Sequence, residues 1–395
     1  MANDLITVVI PNYNGIQYVS DCLDSILAGT LIPEIVVVDN ASQDGSREQI
    51  EERYPMVTLL KLGVNTGFCH AVNAGLHITR TPYAMLLNND TRMEPDCLEK
   101  LLAAMERNPR VFSMQALMVS MKDPNVIDDA GDLYSALGWA FERGKGNPRA
   151  SVQKGWTGES NTASSGRAAE PAGNTPDAGK RCRPVRIFSA CAGAALYRMS
   201  VFDEIGWFDE RHFCYLEDVD IGWRAQIAGY GNRMLPDAVV YHAGSASSGS
   251  RHNAFKEKLV PGNNAYLQYK NMPLLQYWLN APLRALGKAV KKRYFDAKGL
   301  GEAYQDGLER GDGLIAGAKE AYAFGRSGVP WKKGSLADEA LVAGRPKTQA
   351  DALTLDEVVP LYLGGKVPFR PAALPRYISI EGQLIAGCFR RLGRK

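Results

Sequence analysis

Short, continuous apolar runs alternate with segments of helical period across the first 120 residues, and that alternation leaves few folds open. Leu5–Ile10 is a β-branched run stopped by Pro11-Asn12. Ile16 to Leu27 then places Val19, Leu23, Ile26 and Leu27 on one helical face. Further strands are predicted at Ile35–Val38, Val57–Leu62, Tyr83–Leu87 and Val111–Val119, with helices near Gly67–Ile78 and Cys97–Arg107. Strands that are apolar on both faces and separated by helices imply an α/β fold, a mostly parallel sheet covered on both sides.

Downstream, Thr157–Gly179 holds no Val, Ile, Leu, Met, Phe, Trp or Tyr. Such a segment buries too little surface to offset its ordering entropy, so a mobile insertion is expected at about 144–184. Strand patterning returns at Val185–Phe188 and Ala194–Tyr197, followed by a helix over Glu217–Ala228 and a strand at Val239–Tyr241 ending at His242. The divisions expected are a catalytic domain over 1–250, a helical basic extension over 251–325, and a Gly/Pro-containing tail over 326–395. That tail ends in a basic amphipathic helix with Ile380, Leu384, Cys388 and Leu392 on one face.

Charge follows the same division. Residues 251–395 hold 24 Lys and Arg against 13 Asp and Glu, whereas residues 1–250 hold 22 against 30. A basic third on an acidic body points to an anionic partner, phospholipid or nucleic acid, with a solvated face as the plain alternative. No run approaches the roughly 18 apolar residues of a membrane span, and Met1-Ala2-Asn3-Asp4 opens no signal-peptide pattern. Seven cysteines without a C-x-x-C pair argue for reduced thiols, and a cytoplasmic location is expected.

In an open parallel sheet, ligands sit beyond the carboxyl ends of the strands. Four strand ends carry polar clusters: Pro11-Asn12-Tyr13-Asn14, Asp39-Asn40-Ala41-Ser42, Asn65-Thr66-Gly67 and Asn88-Asn89-Asp90. Each alone reads as turn chemistry, but four on one sheet edge read as a site. Asp39 after the second strand would suit a dinucleotide ribose, yet no G-x-G-x-x-G follows the first strand, which excludes an oxidoreductase of that kind. A nucleotidyltransferase would need a basic Gly-rich loop there, and Asn and Tyr stand instead.

Taken together, Val-Ile-Pro-Asn-Tyr-Asn at 9–14, Val-Val-Asp-Asn-Ala-Ser at 37–42, Asn65-Thr66-Gly67-Phe68 with Asn73, and Leu-Leu-Asn-Asn-Asp-Thr at 86–91 resemble the family 2 glycosyltransferases. So do Gly206-Trp207-Phe208-Asp209, Glu217-Asp218-Val219-Asp220 and Tyr241-His242-Ala243-Gly244, and Tyr269-Lys270-Asn271 is similar to a motif of the bacterial rhamnosyltransferase-like branch. The resemblance implies a GT-A fold, a Rossmann-like mostly parallel sheet with a C-terminal helical extension. It implies an inverting transfer of a sugar from a nucleotide-sugar donor (dTDP-rhamnose first) to a glycan or lipid-linked glycan in cell-surface polysaccharide synthesis, without nucleic acid. The basic third adds the expectation of an anionic membrane at its inner face, since Trp278 and leucines alternate with Lys and Arg over Leu274–Arg293; the alternative is a helical extension packed on the catalytic domain with its basic face in water.

By the same resemblance Asp218 is the base, and Glu217 and Trp207 bind the acceptor. Pro11, Tyr13, Asn14, Asp39, Asn65, Gly67, Asn73, Asn88 and Asn89 bind the nucleotide sugar, and Asp90 with His242 ligates Mn2+ or Mg2+. The family's Asp-x-Asp stands here as Asn88-Asn89-Asp90, one carboxylate short. That substitution leaves open a catalytically silent module that only binds nucleotide sugar or glycan.

Overall fold

The first strand, β1 (Asn3–Asn12), shows why the sheet lies in the middle of the molecule: Ile6, Val8, Val9 and Ile10 are all fully buried, alternating between its two faces. The computed structural model describes residues 3–155, 183–244, 252–323 and 362–392. Of the expected insertion, 156–182 lie outside the described residues, as do 324–325 of the expected extension and 326–361 and 393–395 of the expected tail.

After β1 come α1 (Val19–Leu27), β2 (Pro33–Asp39), α2 (Ser46–Arg53), β3 (Thr58–Lys61), α3 (Phe68–Ile78) and β4 (Tyr83–Leu87). Next follow β5 (Thr91–Met93), α4 (Cys97–Glu106), β6 (Val111–Ser120), β7 (Ile127–Asp129), β8 (Asp132–Ser135), β9 (Trp139–Glu142) and α5 (Ala150–Gly155). Beyond residue 183 the order is β10 (Val185–Ile187), β11 (Ala194–Arg198), α6 (Met199–Ile205), α7 (Glu217–Ala228) and β12 (Gly231–His242). Helices complete the described chain: α8 (Ala254–Asn271), α9 (Leu274–Leu279), α10 (Ala281–Asp296), α11 (Gly301–Ala323) and α12 (Leu374–Leu392).

The main sheet runs β10-β12-β6-β11-β4-β1-β2-β3, with β5 beside β12 and β7 beside β6. The β3-β2-β1-β4 half is parallel, β11 runs antiparallel between β4 and β6, and β12 runs parallel to β6. The carboxyl ends of β1, β2, β4, β6 and β12 therefore share one edge. This is the expected α/β architecture of GT-A type with a helical C-terminal part.

Several boundaries differ from the sequence reading for physical reasons. The first helix starts at Val19, not Ile16, because the Ile16 N–H donates to Asp44 Oδ2 at 2.8 Å and the chain turns there. Helix α2 carries one buried apolar side chain, Ile50, too few to show a period. Strand β12 extends back to Gly231. Its register slips between Leu235 and Val239, around Pro236, which has no N–H to give the ladder. The apolar–basic stretch after Leu274 is two helices, parted at Asn280 with Pro282 in the first turn of the second. Helix α3 lies close on the sheet at Gly75, where a Cβ would come within 2.3 Å of Val9 Cγ1.

Candidate active site

Beyond the shared strand edge lies a cavity of about 720 Å³. Pro11, Asn12, Tyr13, Asn40, Asn65, Gly67, Asn88 and Asn89 line one part of it, and Asp90, Asp128, Asp129, Asp132, Glu142, Lys145, Glu217, Asp218 and His242 line the rest. Eleven of the expected site residues thus meet at one place: Pro11, Tyr13, Asn65, Gly67, Asn88, Asn89, Asp90, Glu217, Asp218 and His242 border it directly, and Asn14 borders an adjoining recess shared with Asn89.

Asn12, fully buried, ties three of the polar clusters together. Its Nδ2 donates to Asp39 Oδ1 at 2.9 Å and to Ser46 Oγ at 3.0 Å, and its Oδ1 accepts from Asn89 Nδ2 at 2.8 Å. Asn40 performs the next tie, donating to Asn65 Oδ1 and the Gly67 carbonyl, each at 3.1 Å. Tyr13 stands at the lip, 41% exposed.

Three expected contacts are not brought to the cavity. Asp39 is fully buried behind Asn12, its second oxygen accepting from the Ser42 N–H at 3.1 Å, so its carboxylate closes a loop. Asn73 is fully buried and joins α3 to the segment before α7, donating to the Phe208 carbonyl and Glu210 Oε1 at 2.8 Å each. Trp207 is 6% exposed in the main core, stacked on Phe202 with ring centroids 5.1 Å apart. All three side chains make packing or turn contacts instead of lining the cavity.

At the metal-type corner, His242 Nε2 lies 3.3 Å from Asp90 Oδ1, and its Nδ1 lies 2.7 Å from Asp128 Oδ2. Burial opposes charge on this ring, but the bonds to Asp128 and Asp90 prevail and carry it up to about 10. Ligands about 2.1 Å from an octahedral ion stand roughly 3 Å apart, so Asp90 and His242 are spaced as neighbouring ligands. A histidine whose other nitrogen is held by a carboxylate is the usual oriented metal ligand. The residues fit a divalent cation.

Among the described residues, Asp209, His212 and Asp220 also bring ligand-type atoms within 4.8 Å of one another. That cluster already has its cations. Lys270 Nζ lies 2.7 Å from Asp209 and 2.8 Å from Asp220, and Arg224 lies 2.9 Å from Asp220. A divalent ion there would meet two buried positive charges, so it is a structural ion network. Residues 362–367 cover it as a strap. The Gly364 carbonyl accepts from Tyr266 Oη at 2.9 Å and from Arg211 Nε at 3.3 Å. A Cβ on Gly364 would come within 2.3 Å of Asp209 Oδ2 and 2.6 Å of Lys270 Nζ.

The acid end of the cavity is built on the start of α7. Phe213, Tyr215 and Leu216, just before it, all have left-handed backbones, with φ of 63°, 73° and 66°. Non-glycine residues hold such φ only when their surroundings impose it. Here Asn263 of α8 imposes it, donating through Nδ2 to the carbonyls of His212, Cys214 and Tyr215 at 2.8–2.9 Å. Arg310 of α11 holds that asparagine through its Oδ1 at 2.6 Å.

The strained turn presents Glu217 and Asp218. Burial pushes Asp218 up to about 6, although the Val219 and Ala192 N–H groups draw it down. Burial, and then the Asp218 charge, push Glu217 well above the carboxylate range, and its Oε2 is buried without a hydrogen-bond partner. Asp129 is raised to about 7 by burial and by Glu142. Asp128, Asp129, Asp132 and Asn263 did not stand out in the sequence. The acid run Asp128-Asp129 after β6 was the one available signal; Asn263 had none.

The family model for glycosyl transferase family 2 matches residues 7–206, half the chain. An N-acetylglucosaminyl-diphospho-decaprenol L-rhamnosyltransferase of Mycobacterium tuberculosis is 29% identical over 306 residues, 71% of this chain and 88% of that one. A putative teichuronic acid biosynthesis glycosyltransferase of Bacillus subtilis is 30% identical over 131 residues, 31% of this chain and 51% of that one. A solved mannosyltransferase from Pyrobaculum calidifontis covers 98% of this chain and 87% of its own at 16% identity and a TM-score of 0.45. With the strand-edge cavity and its ordered motifs, the family match is decisive: the chain belongs to glycosyl transferase family 2.

Proposed function

We propose that this chain is an inverting, divalent-cation-dependent transferase. It would move a sugar, with dTDP-rhamnose as the first donor to try, onto a lipid-linked glycan at the inner face of the cell membrane during cell-surface polysaccharide synthesis. The observation that carries the reading is that Asp218 and the Asp90–His242 pair border the same cavity as the nucleotide-side asparagines. The mycobacterial relative, similar over most of both chains, supports the sugar and acceptor class.

In this reading the donor lies between the Pro11–Tyr13 edge and Asn88–Asn89, with its diphosphate toward Asp90 and His242. The cation held there would offset charge on the departing nucleoside diphosphate. Asp218, ionised above pH 6, takes the proton from the acceptor hydroxyl as its oxygen attacks the anomeric carbon from the face opposite the leaving group. Its Oδ1 accepts from the Val219 N–H at 2.7 Å, which fixes the carboxylate at the edge of the cavity. Glu217, its carboxyl raised by burial, borders the same cavity and would contact the acceptor.

Incubation with Mn2+, a panel of labelled nucleotide sugars and a lipid-linked glycan tests this through released nucleoside diphosphate. Transfer from dTDP-rhamnose is expected. Donor binding with no release under any combination would favour the silent module that Asn88 leaves open.

A further inference from the structure

Helices α9, α10 and α12 carry apolar side chains on faces that nothing among the described residues covers. Helix α9 has no buried residue at all, with Leu275, Trp278 and Leu279 69–73% exposed. The stripe continues along α10 through Leu286 and Val290, at the three- and four-residue spacing of one helix face. Helix α12 has two stripes. Tyr377, Ile380 and Leu384 pack inward, as the sequence pattern requires, while Leu374, Ile378, Ile385 and Phe389 point out, 38–67% exposed. The outer stripe was not evident in the sequence, because the inner one alone satisfied the pattern.

The two outer stripes adjoin. Gln276 Nε2 and Asn280 Nδ2 donate to the Glu381 carboxylate at 2.6 Å and 3.0 Å, joining α9 and the start of α10 to α12. At about 100° per residue, Leu374, Ile378, Ile385 and Phe389 fall on the Glu381 flank of α12 and outward of it. Over residues 274–296 the charged groups outside the core are Lys288, Lys291, Lys292 and Arg293 against Asp296, since Arg284 is buried and donates to the Tyr277 carbonyl. An apolar face edged almost wholly by cations complements an anionic bilayer, with leucines and a tryptophan at the depth of the headgroups.

We propose that α9–α10 and α12 form a platform lying in the headgroup plane of an anionic phospholipid bilayer, and that the β8–β9 hairpin sets the cavity at a fixed height above it. The hairpin joins the two sites directly. Its turn packs on the platform, with the Ala136 N–H donating to the Leu384 carbonyl at 2.9 Å and Trp139 Nε1 to the Gly287 carbonyl at 3.2 Å. Ala140, Phe141 and Glu142 of the same hairpin line the cavity. From Trp139 to Glu142 is three extended residues, a reach of roughly 10 Å. This spacing suits an acceptor whose reactive sugar is near its lipid, so the acceptor would be a short lipid-linked saccharide, not the far end of a long polymer. That last step rests on the lipid-linked reading above; the platform itself does not.

Sedimentation of the full chain with vesicles of phosphatidylcholine alone, and of equal parts phosphatidylcholine and phosphatidylglycerol, tests the platform without any turnover. The chain should pellet with the anionic vesicles, less so at raised salt, and stay in solution with the neutral ones. Trp278→Glu with Leu279→Glu, and separately Ile378→Glu with Phe389→Glu, should each lower vesicle affinity about tenfold or more. Both should keep the wild-type melting temperature and wild-type transfer to a soluble acceptor analogue. Wild-type chain that remains in the supernatant with anionic vesicles overturns the proposal, as does undiminished pelleting of both double variants. So does a wild-type dimer that these substitutions turn into monomer without altering vesicle binding. Loss of transfer with vesicle binding intact would overturn the proposed function alone.

Discussion

His242 Nδ1 lies 2.7 Å from Asp128 Oδ2, although the two residues are 114 positions apart. The sheet makes the pair: β12, ending at His242, lies beside β6, and β7, holding Asp128, folds back on β6 from the other side. Asp128→Asn should leave the ring in place with a weaker acceptor behind it. The Mn2+ concentration for half-maximal turnover should then rise about 10–100-fold. Asp90→Ala should lose turnover at every Mn2+ concentration, since among the described residues no other carboxylate is paired with His242 Nε2. Activity titrated against Mn2+ reads both, and a wild-type curve for Asp128→Asn removes that role.

Asp218 gives the site a pH signature. With its carboxyl pushed up to about 6, turnover at low donor and acceptor should rise about tenfold per pH unit below 6 and level off above. Asp218→Asn should lower turnover about 10²–10⁴-fold and flatten that limb. A carboxyl raised on folding binds its proton more tightly in the folded state. Its favourable contribution is therefore present below the ordinary value of 3.8 and lost as pH rises through about 6. Asp218→Asn should accordingly melt higher than wild type at pH 8, with the gap closing toward pH 4.

The Lys270 network predicts the opposite pH trend. Asp209 and Asp220 are both held below the ordinary range against their burial, Asp209 chiefly by Lys270 and Asp220 chiefly by Arg224. Lys270→Met removes one cation and should cost about 3–5 kcal/mol near neutrality. As pH falls into the carboxylate range those acids can protonate in the variant, so its deficit relative to wild type should shrink. Urea melts at pH 7 and pH 4.5 measure it; a constant deficit would mean that lost packing, not charge, is the cause.

Trp207 separates a core role from an acceptor role. Trp207→Ala should cost about 3–5 kcal/mol through loss of its stack on Phe202. Acceptor KM in the folded fraction should stay within about twofold of wild type. A selective rise in KM at unchanged stability would return Trp207 to the acceptor site.

What the sequence made legible was whatever is written locally. A buried strand announces itself by its apolar run and stops where Asn, Asp or Pro begins, so the edge holding Pro11, Asn65, Asn88 and Asp90 could be drawn beforehand. The same locality does not reveal that Asp39, Asn73 and Trp207 are buried behind the cavity lining. An acid that closes a loop onto Asn12 and an acid that holds a base look alike when read along one strand. Asp128 and Asn263 were hidden for the converse reason. One gains its meaning from sheet order, the other from a helix laid across a left-handed turn about 50 residues earlier. Family resemblance supplied the roles proposed for Asp218 and His242; the spacing of residues alone supplied only their place at element ends.

Gly364 has a further consequence, in the order of assembly. The strap it belongs to lies about 100 residues beyond Tyr266, whose hydroxyl its carbonyl receives. A nascent chain can therefore complete every strand of the main sheet and still hold Asp209, Asp220 and Lys270 open to water until residue 364 leaves the ribosome. The helix bearing Asp218 is finished from outside, by a segment synthesised well after it. The ion network that anchors this helix is thus closed only after the sheet edge around it has formed.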